Sequence, residues 1–290
     1  VIVSNLDNKK KNEERRKQAQ MEQAYAQMRR KMRMTQLDEE IKHKVMVLSG
    51  KGGVGKSTVS VGLALSLARQ GKKVGLMDID ITGPNVPKML GIDDAELHVE
   101  DGQIFPAIGP HGLKVISMAF LIEDPDKPVI WRGPIKLGAI QQFIGDVAWG
   151  ELDALIIDFP PGTSDEPLTV SQSLPGIDGV VIVTTPQDVA LLDVVRGIKM
   201  FDKLGVKILG LVDNMSYFIG DDNKKYKIFG ESGVKSTAQE FNKDFLGEIP
   251  INPKVGTLGD KGIPIVEEDP NNQISKIYID FAKKIKSTYL

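Results

Sequence analysis

The chain has 290 residues, 41% hydrophobic and 26% charged, with a net charge of −2 and no cysteine. These are ordinary globular values, enough for one α/β sheet, and the near-neutral charge sets up no field for nucleic acid or an anionic membrane. Without cysteine there are no disulfides, thiolate metal sites or Cys nucleophiles; without a run of about 18 apolar residues or a signal-peptide core, no transmembrane helix is expected and the cytoplasm is the expected compartment.

Residues 1–42 form the first predicted unit, a charged helical extension rich in Lys, Arg, Gln and Met and free of Gly and Pro. Met21, Tyr25, Met28 and Met32 recur on one helical face. The simpler reading is a solvated helix laid on the domain surface. The sharper one is a docking helix for a partner, since methionine stripes make adaptable contacts. Membrane attachment ranks below both, because the apolar face is thin. Residues 43–290 form the second unit. There, strands alternate with helical patterns, which predicts an α/β, doubly wound, mostly parallel sheet with helices on both faces. Strands are expected at 44–49, 73–78, 114–117, 153–158, 178–184, 207–213 and 245–248. Helices are expected at 56–70, 135–145, 188–204, 234–241 and 272–287. A small hairpin or irregular excursion is expected around His98–Ile104. In the last helix Ile274, Ile277, Tyr278, Phe281 and Ile285 share a face, read as packing on the sheet.

The stretch Gly50-Lys51-Gly52-Gly53-Val54-Gly55-Lys56-Ser57-Thr58 has P-loop spacing and lies between a predicted strand and a predicted helix. Glycines let the backbone approach a polyphosphate. Successive amides form an anion nest, and the helix N-terminus adds its dipole. The loop residues Gly50 to Thr58 are thus candidates for holding a nucleotide. Lys56 would reach the β- and γ-phosphates, and the Ser57 hydroxyl would ligate Mg²⁺. The next strand runs into Asp78-Ile79-Asp80. Asp80 is assigned to orient the attacking water and Asp78 to the outer shell of Mg²⁺. Leu155-Ile156-Ile157-Asp158 is an apolar strand ending in an acid, the Walker B form, which adds Asp158 to the metal set. Pro160 and Pro161 stiffen the loop that follows, where Gly162 can bring its N–H to the γ-phosphate. An ATP hydrolase is the expected activity, with Lys56 and Asp80 as catalytic residues. His43, His98 and His111 lack metal-ligand spacing.

Five stretches together resemble the Mrp/ApbC branch of the MinD/ParA-like signature-lysine P-loop ATPases, an iron–sulfur cluster carrier family. They are Gly50–Thr58, the Asp78-x-Asp80-x-x-Gly83-Pro84-x-x-Pro87 segment, Trp131–Pro134, Ile156–Asp165 and Asn214–Phe218. The resemblance covers Val45 to the C-terminus. It implies a homodimer around two ATP molecules, with Lys51 as a further catalytic residue reaching the partner subunit's nucleotide. It implies that Asn214 contacts the adenine, flanked by Pro250, Ile251 and Asn252, and that the protein serves iron–sulfur cluster assembly or transfer to client proteins. No nucleic-acid partner is implied. The absence of an Asn-Lys-x-Asp guanine motif fits ATP.

The chain departs from the family at one place. The positions of the family's Cys-x-x-Cys fall on Gly220 and Asn223, so the thiolates of a bridging iron–sulfur cluster are missing. Asp221 and Asp222 could attract a hard cation, although a solvated turn is the simpler reading. The alternative function is therefore an ATP-switched positioning or scaffold protein of the MinD/ParA kind, without cluster cargo.

Overall fold

A computed structural model describes residues 35–80, 83–121, 133–162, 165–174 and 176–289, together with residues 18, 20, 21, 24, 28, 32 and 33 of the N-terminal helix. Tyr25, Trp131, Arg132, Thr163 and Ser164, on which some expectations rest, lie outside the described residues. In chain order the elements are β1 (Lys44–Ser49), α1 (Lys56–Arg69), β2 (Val74–Asp78), α2 (Val86–Leu90), β3 (His98–Glu100), β4 (Gln103–Phe105), β5 (Ala107–Ile108) and β6 (Lys114–Ser117). They continue with α3 (Gly133–Asp146), β7 (Ala154–Asp158), α4 (Asp165–Ser173), β8 (Gly179–Thr184), α5 (Asp188–Leu204), β9 (Ile208–Ile219) and β10 (Lys225–Tyr226). The last are α6 (Val234–Glu240), β11 (Phe245–Ile251), α7 (Pro253–Gly259), α8 (Ile265–Glu268) and α9 (Gln273–Tyr289).

The main sheet has the order β10-β9-β8-β1-β7-β2-β6-β5, with β11 also paired to β9. Its pairings are parallel except those of the short β5 with β6 and β10 with β9. β3 and β4 form a separate hairpin, at the place where a small excursion is expected. The strands read as continuous apolar runs because both faces are covered. Along β1, Met46 and Leu48 enter one core with Phe143, Val170, Val194 and Phe201 of α3, α4 and α5. Val45 and Val47 enter the other, with Leu63, Tyr278 and Phe281 of α1 and α9. The predicted face of α9 lies here, with Ile274, Tyr278 and Ile285 almost without exposed surface.

The N-terminal helix makes its contact elsewhere than its methionine stripe. Met21, Met28 and Met32 are exposed, whereas Leu37 and Ile41 are buried in the first core. Ile41 pairs with Leu152, and the Leu152 amide donates to the Glu40 carbonyl. The last turn of the extension thereby becomes part of the sheet's packing.

β1 is where the chain order along the sheet reverses, with β7 on one side and β8 on the other. In open α/β sheets, ligands bind at such a switch point, beyond the carboxyl ends of the strands. The loop after β1 is Gly50–Gly55.

Candidate functional site

The first turn of α1 has no side-chain cap; its N-cap is Gly55 in a left-handed conformation at φ 80°. The orphan amides there remain available to an anion. Two glycines have a structural reason beyond nucleotide approach. A Cβ on Gly55 would lie 2.2 Å from Asn214 Nδ2, and one on Gly50 would lie 2.2 Å from Asp193 Cβ of α5. The loop is thus seated between β9 and α5, and only glycine fits at both contacts.

Three side chains converge on Asp158 at the end of β7. Lys56 Nζ lies 2.8 Å from Asp158 Oδ1. Ser57 Oγ donates to Oδ2 and Ser60 Oγ to Oδ1, each at 2.6 Å. Asp158 has 0% and Lys56 6% exposure, so this ion pair is desolvated. Buried charges persist only when paired and hydrogen-bonded, and here the carboxylate has a cation and two hydroxyls.

Asp78 sits beside Asp158 in the parallel register of β2 and β7. It accepts from Ser117 Oγ at 2.7 Å and from the Asp80 amide at 3.1 Å. Burial, reinforced by the Asp158 charge, pushes the Asp78 carboxyl well above the carboxylate range, against the pull of these two donors. Asp80 stands at the cleft, where its Oδ1 accepts from the Gly83 amide at 3.3 Å. Asp158 and the Ser57 hydroxyl, with Asp78 beside them, offer oxygen donors, the kind Mg²⁺ takes, with one or two carboxylates and substrate phosphates completing the shell.

The cleft above these residues measures about 310 Å³ and is lined by Gly52 to Thr58, Asp80, Gly83, Asn85, Met89 and Pro161, among others. Two larger clefts, of about 510 and 570 Å³, open at the amino ends of the strands around Lys114. Volume does not single out the site; the convergent acids and lysine at the carboxyl ends do.

Other expected site residues are placed differently from one another. Lys51 is half-buried and its Nζ donates to Gln187 Oε1 at 3.1 Å in its own chain. Asn214 is buried and its Nδ2 donates to the Val54 carbonyl at 2.7 Å, tying β9 to the loop. Gly162 does not present its amide to the cleft. It adopts φ 103°, and its N–H donates to the Ser49 carbonyl at 2.8 Å. The turn after the two prolines closes onto the end of β1. Pro250 and Ile251 end β11, with Ile251 opposite Phe218, and Asn252 follows. Asn252 caps α7 by accepting from the Lys254 amide, and none of the three lines the cleft.

Sequence reading missed Ser60, Ser117 and Gln187. Ser60 was within reach: it lies three residues after Ser57 on one helix, hence on the same face. Gln187 follows the end of β8, which neighbours β1, the position rule for ligand sites.

At the family's cysteine positions the chain makes a closed hairpin. The Asn223 amide donates to the Gly220 carbonyl and the Gly220 amide to the Lys224 carbonyl. Asn223 has φ 58°. Asp222 accepts from the Tyr226 hydroxyl at 2.9 Å and pairs with Lys224. This is the solvated turn, and among the described residues no cluster of three His, Cys, Asp or Glu side chains forms a metal site. A thiolate-held cluster does not fit these residues. Among the described residues no helix is long and apolar enough to cross a membrane.

Comparisons with known proteins agree with the geometry. The family model described as ParA, NUBPL iron-transfer P-loop NTPase, matches residues 40–286. The iron–sulfur cluster carrier protein of Saccharolobus solfataricus is 49% identical over 248 residues, 85% of this chain and 84% of the relative. That of Methanocaldococcus jannaschii is 49% identical over 250 residues, 85% of this chain and 86% of the relative. Among solved structures, the nucleotide-binding protein of Archaeoglobus fulgidus in complex with ADP is 38% identical with a TM-score of 0.70, covering 80% of this chain and 90% of that one. The cell division ATPase MinD of Pyrococcus furiosus, at 24% identity and a TM-score of 0.60 over 84% of this chain and 98% of its own, shares the fold. With a P-loop on β1, a Walker B acid on β7 and this match across most of its length, the chain belongs to the ParA-type iron-transfer P-loop NTPases, the family of the iron–sulfur cluster carriers.

Proposed function

We propose that the chain binds and hydrolyses Mg–ATP as a homodimer, acting in the iron–sulfur cluster assembly or transfer of its family. The observation that carries this reading is the convergence of Lys56, Ser57 and Ser60 on the buried Asp158, directly below an uncapped helix N-terminus. A triphosphate entering the cleft gives Lys56 a second anion. Its ammonium then turns from Asp158 to the β- and γ-phosphates, and the first-turn amides of α1 take the remaining phosphate charge. Ser57 and Asp158, with Asp78 behind them, would hold Mg²⁺; the ion supplies neutralisation of charge on the β- and γ-phosphates. Asp80, at the cleft wall, orients the water for in-line attack. Lys51 completes the site of the second subunit. Asn214 contacts the adenine in this reading after exchanging its bond to Val54, and Pro250 to Asn252 flank the base. The Gly162 amide would leave Ser49 to meet the γ-phosphate, which makes that bond part of a nucleotide-state switch.

The closed Gly220–Lys224 hairpin favours a second reading, an ATP-switched scaffold that carries no cluster itself. Phosphate release tests the first part: turnover that needs Mg²⁺ supports the hydrolase, and its absence at any protein concentration contradicts it. Anaerobic reconstitution with iron and sulfide separates the two readings. A stoichiometric visible chromophore per dimer favours direct cluster carriage, and none favours the scaffold.

A further inference from the structure

Gln187 occupies the N-cap position of α5, yet its side chain makes no capping bond. Its Oε1 instead accepts twice, from Thr185 Oγ1 at 2.7 Å and from Lys51 Nζ at 3.1 Å. The orientation of the amide follows from chemistry. An ammonium only donates, so the oxygen of Gln187 must face Lys51. Thr185 has 3% exposure and fixes that oxygen from behind. Gly50, one residue before Lys51, is pressed against Asp193 on the same helix. The main chain carrying Lys51 is therefore seated on α5, and the side chain alone is left to swing.

We propose that Gln187 is the resting latch of Lys51, a positioning residue that keeps the ammonium on its own chain until a second copy arrives. The proposal rests on the reading that Lys51 serves the partner's nucleotide. An amide oxygen suits a latch. It accepts a charge-assisted bond but carries no net charge, so a polyphosphate outcompetes it, whereas a carboxylate would compete much harder. α5 also presents Val189 and Leu192, 67% and 62% exposed, within its first turns after the latch. Uncovered apolar residues beside the latched lysine fit a surface that a second copy covers.

Two substitutions at one position separate a latch from a structural role, because they act with opposite sign. Gln187→Ala removes the acceptor and Gln187→Glu strengthens it. In the nucleotide-free chain, the rate at which acetic anhydride acetylates Lys51, read by peptide mass spectrometry, rises in Gln187→Ala and falls in Gln187→Glu. In ATP-dependent dimerisation, read by light scattering, Gln187→Glu shifts the half-point to about threefold higher protein concentration, the scale of a partly exposed ion pair; Gln187→Ala shifts it down. In a Lys51→Ala background, where ATP-dependent dimerisation is already lost, neither change restores it. Equal labelling of Lys51 in parent and both variants overturns the latch, whatever dimerisation does. Labelling as expected with unmoved dimerisation of both variants overturns its role in assembly. Normal dimerisation and turnover by Lys51→Ala alone overturns the trans-lysine reading instead, while the labelling result stands.

Discussion

Asp158 is fully buried, and its charge is matched by Lys56 and by the hydroxyls of Ser57 and Ser60. Removing one member of a buried ion pair leaves an uncompensated charge and costs about 3 kcal/mol or more. Lys56→Ala therefore does more than weaken ATP binding. In urea unfolding without nucleotide it lowers stability by about that amount, and adding Asp158→Asn recovers most of it. An unchanged midpoint for Lys56→Ala would remove the pair from the account. Asp80→Asn leaves the cradle whole; it keeps ATP binding by calorimetry and stalls phosphate release, and parental turnover would move the water-orienting role elsewhere. Asp213 on β9 gives the pH dependence. Burial, with the Glu248 charge adding and the Ser232 hydroxyl opposing, pushes its carboxyl from 3.8 to about 6. A raised carboxyl holds its proton longer in the folded state, so the stability from this group declines as pH rises from about 4 to about 6 and is level above. The melting temperature of Asp213→Asn relative to the parent should rise across that window and then stay flat; a constant difference from pH 4 to 8 would rule out the shift.

The elements differ in how far they could be read from the chain. β1, β2, β7 and β8 start within one residue of the expected positions, because strands covered on both faces are continuous apolar runs. β9 runs to Ile219 and supports β10 and part of β11 beyond the expected end at 213, and β11 itself runs to Ile251, past the expected end at 248. The polar second half of β9, from Asp213 to Ser216, hides the strand. α2 and α8, at five and four residues, are too short for a helical period to register, and α7 carries three apolar-poor positions at Gly256, Thr257 and Gly259. The P-loop was legible from its spacing, and the acidic strand ends from their order along the chain after it. Partners such as Ser117 and Gln187 depend on which strands become neighbours, and that is set by the sheet order. The N-terminal extension shows the same limit. Its methionine stripe is the louder pattern, but Leu37 and Ile41 do the packing. A chain starting at residue 33, which keeps the Arg33–Asp146 pair, should keep the parental melting temperature, and one starting at 43 should lose about 3 kcal/mol or more, the burial of two aliphatic side chains. Equal stability of the two truncations would place the docking elsewhere.

The whole molecule joins a loop seated between β9 and α5, a buried acid pair at the ends of β2 and β7, and a lysine bonded within its own chain. The chain has Lys56 and Asp80 lining one cleft and Asp158 buried against Lys56, but Lys51 bonded to Gln187. Turnover per subunit should consequently rise with protein concentration as dimers form. Phosphate release from a mixture of Lys51→Ala and Asp80→Asn chains tests this most directly. Each variant alone should be nearly inactive, for different reasons. In a mixed dimer the Lys51→Ala subunit retains its own Lys56 and Asp80 and receives Lys51 from its partner, so one working site returns. The account predicts that mixing restores a substantial fraction of the parental rate. A mixture that forms mixed dimers with ATP, yet releases phosphate no faster than either variant alone, would contradict it.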